Sequence, residues 1–188
     1  ITIDAGPVKT RDFEWMLSGN ISFNRNKIVK ISDTAAKKKI WVSPTEAKEI
    51  VYFEGNQIGN SAYCAQTANI FMEGYEMGLF YGYKVDGIVG VGKKGTPLSH
   101  GGEPRSEGQL NYADLNKNEY IDEDDRTVIG NPNPDFTFGF NTSFTWKDLT
   151  LEMNFDGSYG NDIFNFNTAV ETATSVPSHN ILREAWYD

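Results

Sequence analysis

The stretch DLNKNEYIDEDD, residues 114 to 125, concentrates the oxygen chemistry of this 188-residue chain. Six of its twelve residues are acidic, and oxygen-bearing groups fall at alternate places. A calcium loop of the EF-hand kind takes ligands from positions 1, 3, 5, 7, 9 and 12, the seventh through its backbone carbonyl. Here those positions are Asp114, Asn116, Asn118, Tyr120, Asp122 and Asp125. Hard cations take many oxygen ligands at once, so residue types and spacing together suit calcium. Ile121, next after Tyr120, is the apolar residue that would anchor such a loop inward. Two residues depart from the pattern. Glu119 stands where the sharp turn calls for glycine and its positive φ, and Asp125 is one methylene shorter than the usual bidentate Glu. The flanking helices of an EF-hand are missing too, because Pro132 and Pro134 break any helix that follows. The competing reading is an acidic, solvated turn that holds no ion.

Other chemistry is hard to find. The chain has no GxSxG nucleophile motif and no HExxH. GIVGVGKKG lacks both the GxGxxG spacing and the GK[ST] ending, so nucleotide binding is not expected. His100 has no partner at metal-ligand spacing, His179 is remote, and Cys64, the single cysteine, excludes an internal disulfide. A glycoside hydrolase needs paired carboxylates about 5–10 Å apart across a cleft, and abundant Asp and Glu alone do not provide that. No catalytic residue is singled out, and no enzyme is expected.

Composition narrows the setting. The net charge is -9 and the pI about 4.7. An acidic chain repels phosphate backbones, so nucleic acid is not an expected partner. No apolar run is long enough for a membrane-spanning helix, whereas a membrane-spanning strand leaves only a weaker, alternating signal. The opening ITIDAGPVKT and the closing NILREAWYD both read as cuts in a longer polypeptide.

Three segments alternate cleanly. In DFEWMLSGNISFN, Phe13, Trp15, Leu17, Gly19, Ile21 and Phe23 share one face. In FTFGFNTSFTW, Phe136, Phe138, Phe140, Thr142, Phe144 and Trp146 do so, and in LTLEMNFDGSYG, Leu149, Leu151, Met153, Phe155 and Tyr159. Period two over such lengths means β-strands with one apolar face. Strands are expected over about residues 12–26, 135–146 and 149–160. The last two are joined only by Lys147-Asp148, which predicts a tight antiparallel hairpin.

Alternation fits a soluble sandwich and a lipid-facing barrel alike. Strand length, aromatics near the strand ends and small amidic polar faces favour the barrel. The alternative is a secreted, soluble β-sandwich: a carbohydrate-binding module with a calcium-stabilised loop. Between the first strand and the hairpin lies a stretch of about a hundred residues, far beyond an ordinary connection. Within it, SPTE predicts a short helix, with Ser43 as N-cap, Pro44 at the first turn, Glu46 closing a capping box and Gly55 ending it. KKGTPLSHGGEPRSEG is polar and rich in Gly, Ser and Pro, a loop tip by composition.

The run from Asp114 to Ile163 resembles the C-terminal barrel region of the SusC/RagA family of TonB-dependent outer-membrane transporters. The matching pieces are the acidic loop Asp114–Asp122, Arg126, the IGNPNP run Ile129–Pro134, the strand Phe136–Phe140, and GSYGNDI, Gly157–Ile163. EGYEMGLFYGYKVDGI, residues 73 to 88, and PVKTRDFEWMLSGNISFNRNKIV are similar to two further stretches of that family, in the same order. Glu119 replaces a glycine of the family's loop.

The resemblance implies an all-β fold: antiparallel strands forming part of a large transmembrane β-barrel of the TonB-dependent receptor type. A long, structured extracellular region over about residues 30–130, holding the short helix, would interrupt the wall. A second outer loop would start near residue 161, and the whole chain would be part of one barrel domain, with plug domain and remaining strands absent. It also implies residence in the bacterial outer membrane and TonB-energised import of nutrient oligomers, either glycan or peptide breakdown products. The implied partners are a SusD-like surface lipoprotein, TonB through segments not present here, an oligosaccharide or peptide substrate, and outer-membrane lipid. The acidic loop would lie outside the cell, with or without an ion, and no other cofactor is implied.

Overall fold

The computed structural model describes residues 1–35, 37–57, 67–90, 103–166 and 168. Cys64, His100, His179 and most of the segment after residue 161 lie outside the described residues. The chain is all-β. Its strands are β1 (Thr2–Lys9), β2 (Phe13–Ser22), β3 (Lys38–Ser43), β4 (Glu46–Ile50), β5 (Tyr52–Glu54), β6 (Asn69–Met72), β7 (Leu79–Tyr83), β8 (Val85–Ile88), β9 (Leu110–Tyr112), β10 (Arg126–Gly130), β11 (Phe136–Trp146) and β12 (Leu149–Tyr159). A 3₁₀ turn, Glu123–Asp125, precedes β10. Two compact units result: residues 1–26 with 133–162, and residues 27–132 with 163–188.

The first unit is one antiparallel sheet in the order β1-β2-β11-β12. Its register explains why the alternation was so clean. Trp15 pairs with Phe144, Leu17 with Thr142 and Ile21 with Phe138 across β2 and β11. Phe140 pairs with Phe155 and Phe144 with Leu151 across β11 and β12. Apolar residues therefore meet apolar residues strand after strand, and one face is apolar but for Thr142. Polar partners meet on the other: Ser18 donates to Asp4 at 2.5 Å, Asn141 bonds Asn154, and Lys9 pairs with Glu14 at 2.9 Å. Only one sheet exists in this unit, so within it no second sheet covers the apolar face, as a sandwich requires. Phe138 and Phe140 are each 42% exposed, and Leu149 67%.

Local chemistry sets the edges of this sheet. β1 runs on through Pro7 to Lys9. Its register slips between Ala5 and Val8, so Pro7, which has no N–H to donate, sits in a bulge. The Phe138 ring covers its cross-strand partner Gly157; a Cβ there would lie 2.8 Å from the ring.

The second unit holds a six-stranded sheet, β4-β3-β10-β7-β6-β5. Its two edge strands, β4 and β5, are separated in the chain by Val51 alone. The sheet therefore curls until its edges meet in one bent strand, giving a small barrel. Ile40, Ile50, Ile70, Met72, Leu79 and Tyr81 form its core. β8 and β9 make a separate two-stranded ribbon.

The helix predicted from Ser43 is not there. Ser43 ends β3, Pro44 and Thr45 make the turn, and Glu46 starts β4. The Ser43 hydroxyl does accept a backbone N–H, but from Thr45 at 3.4 Å, closing a short turn rather than a helix cap. Glu46 pairs with Lys48 at 3.1 Å instead of reaching back to Ser43. Tertiary pairing decides the outcome. Lys38, Lys39, Ile40 and Trp41 each find a partner on β4, and Ile50 and Val51 are buried, where a helix would have shared one apolar stripe with solvent.

Candidate functional site

The acidic loop joins β9 to β10, and its side chains fold it upon itself. Asp114 Oδ1 accepts the N–H groups of Lys117 at 2.6 Å and Asn118 at 3.2 Å, and its Oδ2 accepts that of Glu119 at 2.8 Å. Asn116 Oδ1 accepts from the N–H of Asn118 at 2.9 Å, and Asn118 Oδ1 from that of Tyr120 at 2.8 Å. The Asn118 amide donates to Asp122 Oδ2 at 3.0 Å. Asp122 caps the 3₁₀ turn, accepting from Asp124 N–H at 2.9 Å.

Asp125 closes the loop. Its residue is fully buried. Oδ1 accepts from Leu115 N–H at 2.8 Å and Asn116 N–H at 3.3 Å, and Oδ2 from Asp122 N–H at 2.9 Å. Burial pushes its carboxyl above the usual Asp range, opposed by those backbone bonds. The first and last acids of the loop thus each gather N–H groups that would otherwise lack partners.

The structure places the sequence-predicted residues as follows. Ile121 is buried, as an inward anchor should be. Glu119 adopts φ 71°, the left-handed conformation that glycine would take without strain, and Lys117 does likewise at φ 61°. Asp114, Asn116, Asn118, Asp122 and Asp125 all belong to one hydrogen-bonded loop, while the Tyr120 side chain is exposed. Among the described residues, no three His, Cys, Asp or Glu side chains gather as a metal cluster.

The sequence reading missed what the loop is tied to. Arg126, the first residue of β10, is only 5% exposed. Its Nη1 donates to Glu54 Oε2 at 3.0 Å, and its Nη2 to the Thr67 carbonyl at 2.9 Å and hydroxyl at 3.1 Å. Its guanidinium lies 4.4 Å from the centre of the Tyr81 ring. Thr67 in turn donates its hydroxyl to Glu54 at 2.6 Å. Burial pushes the Glu54 carboxyl up, but the Thr67 hydroxyl and Arg126 outweigh it and leave it below the usual range. Burial also raises the Tyr81 phenol well above its usual value. Lys38, at the start of β3, meets Asp124 at 3.2 Å, so the 3₁₀ turn is fastened to the end of the small barrel where Arg126, Glu54 and Tyr83 lie. No periodicity announces Arg126. The signals it left were its place directly after an acidic run and among the residues that carry the family resemblance.

No nucleophile is paired with a base in this arrangement. Its carboxylates hold backbone and its one deeply buried cation holds carbonyl, carboxylate and ring, which is the work of a fixed scaffold.

No family model matches the chain. Three curated proteins of Formosa agariphila do. TonB-dependent receptor P3 is 31% identical over 187 residues, covering 98% of this chain and 17% of that protein. TonB-dependent receptor P26 is 27% identical over 160 residues, covering 84% and 14%. TonB-dependent receptor P39 is 24% identical over 216 residues, covering 99% and 19%. The chain thus spans less than a fifth of the length of these relatives. Among solved structures, the RagAB peptide importer in its closed-closed state aligns with a TM-score of 0.46 and 19% identity, over 85% of this chain and 14% of that one. With the near-complete coverage by its relatives, and with a sheet apolar on one face and polar on the other, the chain is a segment of a TonB-dependent receptor, a family of outer-membrane proteins.

Proposed function

We propose that this chain is a stretch of transporter wall with a large outer insertion, in a receptor that imports nutrient oligomers, glycan or peptide fragments, across the outer membrane with energy from TonB. The observation that carries the reading is the register-matched apolar face of β1, β2, β11 and β12. The eleven residues of β11 set its height. At about 3.3 Å per residue they span roughly 33 Å, which a tilt of about 40° projects onto roughly 25 Å, the height of the apolar band on an outer-membrane barrel. Phe13 and Trp146 mark one border of that band, and Phe136 and Tyr159 the other. On this reading the opposite face, with Asp4, Ser18, Asn141 and Asn154, lines the lumen. Residues 27–132 stand outside the cell, where a SusD-like lipoprotein is the expected partner. The role is transport; nothing in the scaffold calls for catalysis.

The acidic loop would take a structural calcium ion. The left-handed Glu119 at the sharp turn and the buried Ile121 support this fit. Asp114, Asn116, Asn118, Asp122 and Asp125 would supply side-chain oxygens and Tyr120 its carbonyl. The ion would neutralise carboxylates that otherwise repel one another.

The test is uptake by cells carrying the full-length receptor. Labelled glycan and peptide oligomers should enter only when both TonB and the receptor are present, and only one of the two classes should be taken up. Assembly in the membrane with no TonB-dependent uptake of either class would defeat the transport reading.

A further inference from the structure

Two chain segments far apart in sequence end on the same side chain. The acidic loop closes on Asp125, and the very next residue is Arg126. Opposite it, β5 ends at Glu54, and the chain returns toward β6 at Thr67 after the isolated Gln57–Thr67 bridge. Arg126 holds both: the Glu54 carboxylate and the Thr67 carbonyl and hydroxyl. Its fork geometry lets one planar group serve three acceptors while its face rests on Tyr81. Among the described residues no buried side-chain nitrogen or oxygen lacks a partner. If Arg126 moves, Glu54 is left with the Thr67 hydroxyl alone, the Thr67 carbonyl loses the guanidinium, and a buried cation is left uncompensated. On the other side, Asp125 is fixed by the N–H groups of Leu115, Asn116 and Asp122, so its place, and with it the start of β10, depends on the loop being closed.

We propose that Arg126 is a shared staple through which the closure of the 114–125 loop and the pairing of Gln57 with Thr67 are energetically coupled. Loosening either one loosens the other, and by linkage the effect is reciprocal. Arg126 acts here as a positioning residue. With this segment outside the cell, as proposed above, contact at the 114–125 loop would set how firmly Gln57 and Thr67 pair.

Hydrogen exchange on the full-length receptor in detergent tests this. Asp114→Ala removes the acceptors of Lys117, Asn118 and Glu119 without removing any group that bonds Arg126, and should speed exchange there directly. Coupling predicts that exchange at 54–57 and 67–68 rises as well, by at least about fivefold. In the reverse direction, Thr67→Val should speed exchange at 115–122. Arg126→Lys keeps a charge for Glu54 but loses the fork, so with it the cross-effect of Asp114→Ala should shrink. Slow exchange at Ile70 and Met72, both in the core, verifies that each variant is folded. A loop that opens while 54–57 and 67–68 remain protected, or a cross-effect unchanged in Arg126→Lys, overturns the proposal. Should Arg126→Lys fail the folding control, the Asp114→Ala and Thr67→Val pair decides alone.

Discussion

Trp15 lies almost parallel to Phe144 across the β2–β11 pair, ring centroids 5.6 Å apart and planes 14° apart, while its indole N–H donates to Thr142 Oγ1 at 2.9 Å. Thr142 passes the chain on, donating to the Met16 carbonyl at 3.3 Å. It is the polar residue within the apolar face of β11, and it is only 5% exposed. A hydroxyl inside the apolar face is thereby satisfied twice. Thr142→Val should destabilise the receptor by about 1–3 kcal/mol, because it strands the indole N–H. Trp15→Phe, which keeps the stack and removes the donor, should cost about 1 kcal/mol. The double variant should be milder than the sum, since neither partner then remains unmet. Urea unfolding of the full-length receptor in detergent measures all three.

The two faces of β11 should respond oppositely to charge. Phe140 lies near the middle of the strand on the apolar face, and its neighbour Asn141 points the other way. Phe140→Arg should cost about 2–4 kcal/mol at the bilayer midplane and block assembly, with Phe138→Arg, nearer the border, milder. Asn141→Arg should assemble normally. Outer-membrane fractionation and heat-modifiable gel mobility give the answer, and equal tolerance at Phe140 and Asn141 would remove the lipid-facing assignment.

Glu119→Gly should tighten the acidic loop by about 1–2 kcal/mol, relieving a left-handed non-glycine residue. Limited proteolysis with calcium and with chelator measures it. Millimolar calcium should protect the wild-type loop, in the weak extracellular range of about 10⁻⁴ to 10⁻³ M, and more strongly in the variant. Cleavage insensitive to chelator in both leaves a self-bonded acidic turn and no ion.

Two turn positions of the four-stranded sheet should change stability with opposite signs. Lys147, the first residue of the β11–β12 turn, has φ 54°, so Lys147→Gly should stabilise by about 1 kcal/mol. Gly160 has φ 86°, and a Cβ there would meet Asp135 Oδ2, so Gly160→Ala should destabilise by more than about 1 kcal/mol. Paired unfolding curves of the two variants check the signs.

Acid should loosen the Arg126 staple through Glu54. Its folded pKa is depressed, so its contribution is complete above the unfolded value of 4.5 and is lost as pH falls through the folded one. Asp125 has the opposite sign: its raised pKa means that its burial penalty is relieved on acidification, over a window starting at its unfolded value of 3.8 and extending upward. Glu54→Gln should therefore flatten the loss of protection below pH 4.5 at residues 54–57, read by hydrogen exchange across a pH series.

What could be read in the sequence follows from strand length. β11 and β12 each hold eleven residues of alternation, enough for faces, pairing and the Lys147-Asp148 turn to be seen directly. The strands of the small barrel hold three to six, too few for a period to show. One of its closures is a parallel contact of Thr127 with Trp41, which no local pattern encodes. SPTE misled because a helix start and a hairpin turn use the same residue types. The runs KKIWVS before it and IVYFE after it, rich in β-branched and aromatic residues, were the better guide. The acidic loop was legible by its spacing because side-chain oxygens must recur at fixed places to collect backbone N–H groups. Its attachment through Arg126 depends on Glu54 and Thr67, residues far away in sequence, so the partners of Arg126 could not be read from the residues around it.

β2 and β11 are neighbours, with Ser22 beside Thr137, although more than a hundred residues separate them in the chain. Arg25 reaches Asp135 at 3.4 Å, and Asn26 donates to Asn133 at 2.9 Å. The insertion thus departs and returns through one clasped doorway. A segment entered and left at a single point is portable: recombination can exchange it between receptors without disturbing a single wall pair. Selection is then free to diversify the inserted unit while the four-stranded sheet keeps its pairs, and a chimera spliced at Asn26 and Asn133 is the natural unit of exchange.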